Sequence, residues 1–165
     1  MKNRLKETNI LNYLFLFSLV TYFLVLCRAS LFKYVHPLEL FDVDRYRICG
    51  INLIPFNGSG LFFLQDIVIN ILLYVPFGFF IAMKNLNKRF LLVAFGISFI
   101  LECLQYILQL GTSDITDFFN NCLGSCFGFI FYITTLKLLK NKEKLDKFYV
   151  VVISIIACIS IILLY

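Results

Sequence analysis

Four of the ten acidic residues, Asp66, Glu102, Asp114 and Asp117, fall in or beside long apolar runs. An acid at mid-membrane costs about 2.5–3.5 kcal/mol on the insertion scale. Such residues usually face a bundle interior and mark function. Three of the four have an amide nearby: Asn70 four after Asp66, Gln105 three after Glu102, Asn121 four after Asp117. Three or four residues apart on a helix means one shared face. Carboxylates so placed could act as general acid, general base or oxygen ligands for Mg²⁺. They could equally hydrogen-bond a polar ligand. Arg45 and Arg47 supply cations from a neighbouring loop, which also holds Asn52.

Other chemistry is poorly served. No nucleophile and base stand at recognisable spacing, and no Gly-rich phosphate loop is present. Of six cysteines, only Cys49 lies in a loop; Cys27, Cys103, Cys122, Cys126 and Cys158 lie in apolar stretches. With no CxxC and the single His36, the chain offers neither a zinc pattern nor a disulfide scaffold. Cys122 and Cys126, four apart, are a weak metal signal. No cofactor is expected.

Structural roles compete with these. Asp66, Asp114 and Asp117 stand near expected helix starts, where acids cap free N–H groups and complement the helix dipole. Asn70 and Asn121 could be hydrogen-bond glue between helices. Glu102 could pair with Arg45 or Arg47. It lies about eight residues, roughly 12 Å, inside the end of its expected helix, so we read it as lining a pocket.

The elements that must position these residues follow from composition. The chain is 61% hydrophobic and 15% charged, with a mean hydropathy of +0.88. A soluble domain is about 45–50% apolar and about 25% charged. So much apolar surface belongs in a bilayer. Five spans are expected, at about 10–27, 66–83, 90–110, 117–136 and 148–165. They make one all-α membrane domain over residues 1–165, a bundle of five transmembrane helices. The first run follows Lys2, Arg4 and Lys6, and Arg28 closes it. It lacks a clean signal-peptide cleavage site, so it reads as an uncleaved span. The longest polar stretch, 28–65, carries His36, Pro37, Pro55 and the turn cluster Asn57-Gly58-Ser59-Gly60. Tyr34 and Tyr46 suit interfacial anchors. Pro76 should kink the second span, and Gly124-x-x-x-Gly128 should let a helix approach closely.

Basic residues set the orientation. Lys2, Arg4, Lys6, Lys84, Lys88, Arg89, Lys137, Lys140, Lys142, Lys144 and Lys147 are eleven of the fifteen, and all fall on one side. Cytoplasmic loops collect such residues. The N-terminus is then inside and the C-terminus outside. Asp66, Asn70, Glu102, Gln105, Asp114, Asp117, Asn120 and Asn121 therefore share one layer near the outer surface. The inner segments 79–82, 91–95 and 130–133 carry no charge. The +5 charge is not gathered on a polar domain, which argues against nucleic-acid binding.

In order and spacing, four sequence words now resemble a known family. They are Arg47…Asn52-Leu-Ile-Pro55-Phe, Asn70-Ile-Leu-Leu-Tyr74-Val-Pro76-Phe-Gly78, Glu102-x-x-Gln105, and Asp114-Ile-Thr-Asp117…Asn121-x-x-Gly124-x-x-x-Gly128. Over residues of about 45–130 the chain is similar to the VanZ-like bacterial membrane proteins. An arginine that often precedes the first Asp of the last word is missing here, where Leu110-Gly-Thr-Ser113 stands. Arg45 or Arg47 could substitute, or the activity could differ.

The resemblance implies a multi-pass protein of the bacterial cytoplasmic membrane and a role in resistance to glycopeptide antibiotics, chiefly teicoplanin. It brings no catalytic assignment. Three functions follow as expectations. The first is a non-enzymatic envelope protein whose outward pocket binds a lipid-linked cell-wall precursor, a lipid headgroup or the acylated antibiotic. Its core would be Glu102, Gln105, Asp117 and Asn121, supported by Asn52, Asn70, Asp66, Asp114 and Arg47. The second is an intramembrane enzyme on a lipid-linked substrate. The third is a small transporter, which the apolar inner halves disfavour.

Overall fold

The computed structural model describes residues 2–42, 44, 47–84 and 87–164, with side chains from residue 10 to residue 162. Arg45 and Tyr46 lie outside the described residues. Five helices dominate: α1 (Lys2–Leu31), α2 (Leu61–Lys84), α3 (Leu91–Ile107), α4 (Ile115–Leu139) and α5 (Lys142–Leu164). Each includes or forms part of a stretch long and apolar enough to cross a bilayer. Exposed Ile69, Leu72, Phe127, Ile130, Ile155 and Ile159 are what lipid-facing helix surfaces require, since lipid tails are as apolar as leucine.

The boundaries depart from the hydropathy reading where polar residues join helices. Arg28 does not close the first helix. It sits in the last turn of α1, where a cation complements the dipole, and its Nη1 donates to the Phe32 carbonyl. Helix α2 starts at Leu61, five residues before Asp66. Helix α5 starts six residues before Phe148, because Asn141 Oδ1 accepts the Lys144 N–H at 3.1 Å and fixes the first turn.

The larger departure is a two-stranded parallel sheet, β1 (Ile48–Asn52) and β2 (Leu110–Asp114). Its register pairs Ile48 with Leu110 and Asn52 with Asp114. Segment 111–116, expected as a loop, is most of β2 and the start of α4. Parallel strands need a crossover of a dozen or more residues. Here the α2–α3 pair is that crossover. Helix α3 stops at Ile107, three residues early, because Gln109 turns the chain with φ +54° and its carbonyl accepts the Ile48 N–H.

Contacts divide the chain into two compact units, Leu26–Ile133 and Met1–Val25 with Thr134–Tyr165. Within Leu26–Ile133, α2 and α4 meet backbone to backbone. A Cβ on Gly124 would collide with the Ile71 carbonyl, and one on Gly128 with that of Val75. A Cβ on Gly78 would strike the Ser125 carbonyl. The glycine pair of α4 thus does what its spacing indicates, with Gly78 answering from α2. Helix α2 runs unbroken through Pro76. Around this seam Tyr74, Phe80, Ala82 and Tyr132 are buried. In the other unit Tyr149, Val150, Ile153 and Ala157 of α5 are buried, and Tyr149 Oη meets Thr135 Oγ1 at 3.4 Å.

Candidate functional site

Three polar groups gather in the unit Leu26–Ile133. The first is built on the sheet. Asp114 ends β2 and immediately precedes α4. Its Oδ1 accepts the Thr116 N–H at 2.7 Å, capping α4. Its Oδ2 accepts from Asn52 Nδ2 at 2.9 Å, across the register pair. Its own N–H donates to Glu102 Oε2 at 3.0 Å. Asn52 Oδ1 accepts the Ile54 N–H, and Thr116 Oγ1 accepts the Phe56 N–H at 3.0 Å. Asp114 is therefore both a cap and a tie to Asn52. Gln105 is buried beside them, so close to Gly111 that an added Cβ would lie 2.5 Å from Gln105 Nε2.

The second group is ionic. Lys33 lies two residues beyond α1, with Nζ 3.3 Å from Asp66 Oδ2 and 3.7 Å from Asp117 Oδ2. Asn70 Nδ2 donates to Asp117 Oδ1. Asp66 caps nothing, because it is the sixth residue of α2; its partner is Lys33. Asp117, in the first turn of α4, keeps the dipole-compatible position that the sequence indicated. Burial works against the Lys33 ammonium, but the carboxylates of Asp117 and Asp66 outweigh it and hold its pKa above the usual lysine range. Asp117 is also within electrostatic reach of Glu102 and Asp114. One ammonium thus faces two carboxylates, and one of these, Asp117, feels two more.

The third group is deeper. Asn121 Nδ2 donates to Ser98 Oγ at 3.0 Å, joining α4 to α3. That is the glue role foreseen for this amide. Ser125 Oγ donates to the Asn121 carbonyl. The buried Tyr74 hydroxyl lies near Ser30, Ser98 and Glu102 without closing a hydrogen bond. Asn120 is 1% exposed, and among the described residues neither of its amide atoms has a partner.

Arg47 does not join the carboxylates. Its Nη1 meets Gln109 Oε1 at 3.4 Å on the surface, and among the described residues it forms no ion pair. Among the described residues the cation of the site is Lys33, which the sequence reading passed over. Its signal was its place: one of only four basic residues on the sparsely basic side, directly after the first span. Ser98 and Thr116 were also missed; a hydroxyl within an apolar run carries little signal. His36 is a loop residue, as its Pro37 neighbour indicated, with Nδ1 accepting the Leu38 N–H at 3.3 Å. Among the described residues no three His, Cys, Asp or Glu converge as metal ligands do. The arrangement offers charge and hydrogen bonds to a polar group arriving beside Asp66, whose side chain is 46% exposed.

Five apolar spans with a sheet-bound polar corner define a multi-pass helical membrane protein. The family model described as VanZ/LLP1 matches residues 15–140, and the chain belongs to that family. It is similar to Protein VanZ of Enterococcus faecium, with 29% identity over 132 residues, 78% of this chain and 79% of that protein. No solved structure matches it.

Proposed function

We propose that this VanZ-like protein lowers susceptibility to glycopeptide antibiotics, teicoplanin foremost, by binding a lipid-linked or other cell-envelope ligand at the Lys33–Asp66–Asp117–Asn70 group. The single observation that carries the site is that this group is ionic, partly buried and open at Asp66. Family membership supports the antibiotic role. The distribution of basic residues supports a bacterial cytoplasmic membrane orientation with this group on the outer face. A ligand in the outer leaflet would then reach it laterally.

Binding fits better than catalysis. Glu102 Oε2 is taken by a backbone N–H, and both oxygens of Asp114 accept hydrogen bonds. Neither is poised as a free base beside a nucleophile. Glu102, Gln105, Asn52 and Asp114 brace the site, and Asn121 braces it from below.

The test is susceptibility in a sensitive Gram-positive host at matched membrane levels. Empty vector, the unaltered chain, Asp66→Asn, Lys33→Gln and Glu102→Gln are compared with teicoplanin and vancomycin. Protection by the unaltered chain, lost in Asp66→Asn and Lys33→Gln, is the expected result. Full protection by both variants removes the site. No protection by the unaltered chain removes the antibiotic role.

A further inference from the structure

The turn between α4 and α5 has a feature that the polar corner does not need. Five lysines fall between residues 137 and 147, with only two acids. The acids are engaged: Lys142 pairs with Asp146 at 2.8 Å and Lys147 with Glu143 at 2.9 Å. Lys137, Lys140 and Lys144 are exposed and pair with no carboxylate among the described residues. Beside them opens a cavity of about 450 Å³. Its wall is apolar (Leu139, Leu145, Phe148 and Tyr149), and Lys144 lines it too.

The turn is built at some conformational expense. Lys140 has φ +52°, just past the end of α4, and its N–H closes the helix on the Leu136 carbonyl at 2.8 Å. Glycine is the usual residue at that left-handed position. Here a cation occupies it. A lysine held in a strained conformation between Leu139 and Asn141, which both line the cavity, points to a use for its charge.

We infer that this cavity is a binding site for an anionic glycerophospholipid. Lys140 and Lys144 meet its phosphate, and one acyl chain lies along Leu139 and Phe148. Charge complementarity selects the occupant. Three ammonium groups with no carboxylate partner among the described residues, at the end of two membrane-spanning helices, attract a lipid phosphate, and the wall below accepts hydrocarbon. The site is independent of the antibiotic role.

The chain contains no tryptophan, so Phe148→Trp gives a single reporter on the wall of the cavity, at a residue as exposed as the control below. Phe131→Trp, at an exposed position on α4 outside it, is the control. Each is reconstituted in phosphatidylcholine vesicles carrying one fifth brominated phosphatidylglycerol or one fifth brominated phosphatidylcholine. Quenching at position 148 should be at least threefold stronger with the brominated phosphatidylglycerol, and equal for the two lipids at position 131. Adding Lys140→Gly with Lys144→Gln should abolish the preference. Lys140→Gly relieves the strained backbone, so loss of folding is not its expected consequence. Lys88→Gln with Arg89→Gln, which removes charge from a different turn, should leave the preference intact. Equal quenching by the two lipids overturns the site, as does a preference surviving the Lys140/Lys144 change. Loss of the preference with inorganic phosphate alone, at matched ionic strength, overturns the lipid assignment in favour of a phosphate site.

Discussion

Two polar corners of the same unit handle their carboxylates in opposite ways. At the sheet, Glu102 and Asp114 spend their oxygens on backbone N–H groups and on Asn52. Next to it, Asp66 and Asp117 face side chains, Lys33 and Asn70. A backbone partner cannot swing away, so the first corner is fixed by the fold. An ammonium on a flexible stem can be displaced, and a half-exposed carboxylate can be reached. Closed satisfaction builds structure; open satisfaction leaves room for a ligand.

Breaking the closed corner should have the largest effect on stability. Asp114→Ala removes the α4 cap, worth about 0.5–2 kcal/mol, and leaves Asn52 Nδ2 without its partner. A loss on the order of 2–3 kcal/mol is expected, read as a lower midpoint of thermal unfolding in detergent. Next comes Gly111→Ala, whose new methyl meets Gln105. It should cost about 1–2 kcal/mol, and Gln105→Ala should recover most of that in a double-mutant cycle. A cycle with no coupling would separate Gln105 from the corner. Smallest is the open corner. Lys33→Met should change stability by less than about 1 kcal/mol near neutral pH, as partly exposed ion pairs do.

The pH dependence sharpens the contrast. The folded-state pKa of Lys33 is raised above its ordinary 10.5. Its contribution is therefore fully present below that ordinary value and is lost as pH rises through the folded value. The stability gap between the unaltered chain and Lys33→Met should be constant from neutral pH to about pH 9 and should close above the ordinary lysine range. Unfolding midpoints in detergent across that range measure it. A gap that instead closes toward acid pH would mean that the carboxylates, not Lys33, control the corner.

Much of this was legible in the sequence, for definite reasons. Long apolar runs mark spans whatever their partners, so the five helices could be read off directly. Spacings of three and four placed Asn70 with Asp66 and Asn121 with Asp117; the structure joins Asn70 to Asp117, while Asn121 bonds Ser98 of α3. Gly124 and Gly128 announced a close contact and made one with Ile71 and Val75. The sheet was not legible. Five residues such as Ile48–Asn52 are too few to show a period of two, and Gly50 and Gly111 disguise the strands as turns. Missing β2 hid one partner of Glu102, the backbone N–H of Asp114. Lys33 was hidden because it stands outside the motif-bearing stretch, whereas Arg45 and Arg47 stand within it. What selects Lys33 is proximity across the fold, which no spacing in the chain encodes.

The register of β1 with β2 also sets an order of events during synthesis. Asn52 leaves the ribosome sixty-two residues before Asp114, and chains acquire structure from the N-terminal side first. Strand β1 must wait beside the membrane while α2 and α3 both cross, and only their completed return delivers β2 to it. Until then Glu102 has no Asp114 N–H to hold, and α4 has no cap to start from. The five-residue ladder can therefore form only after the second and third helices have been made.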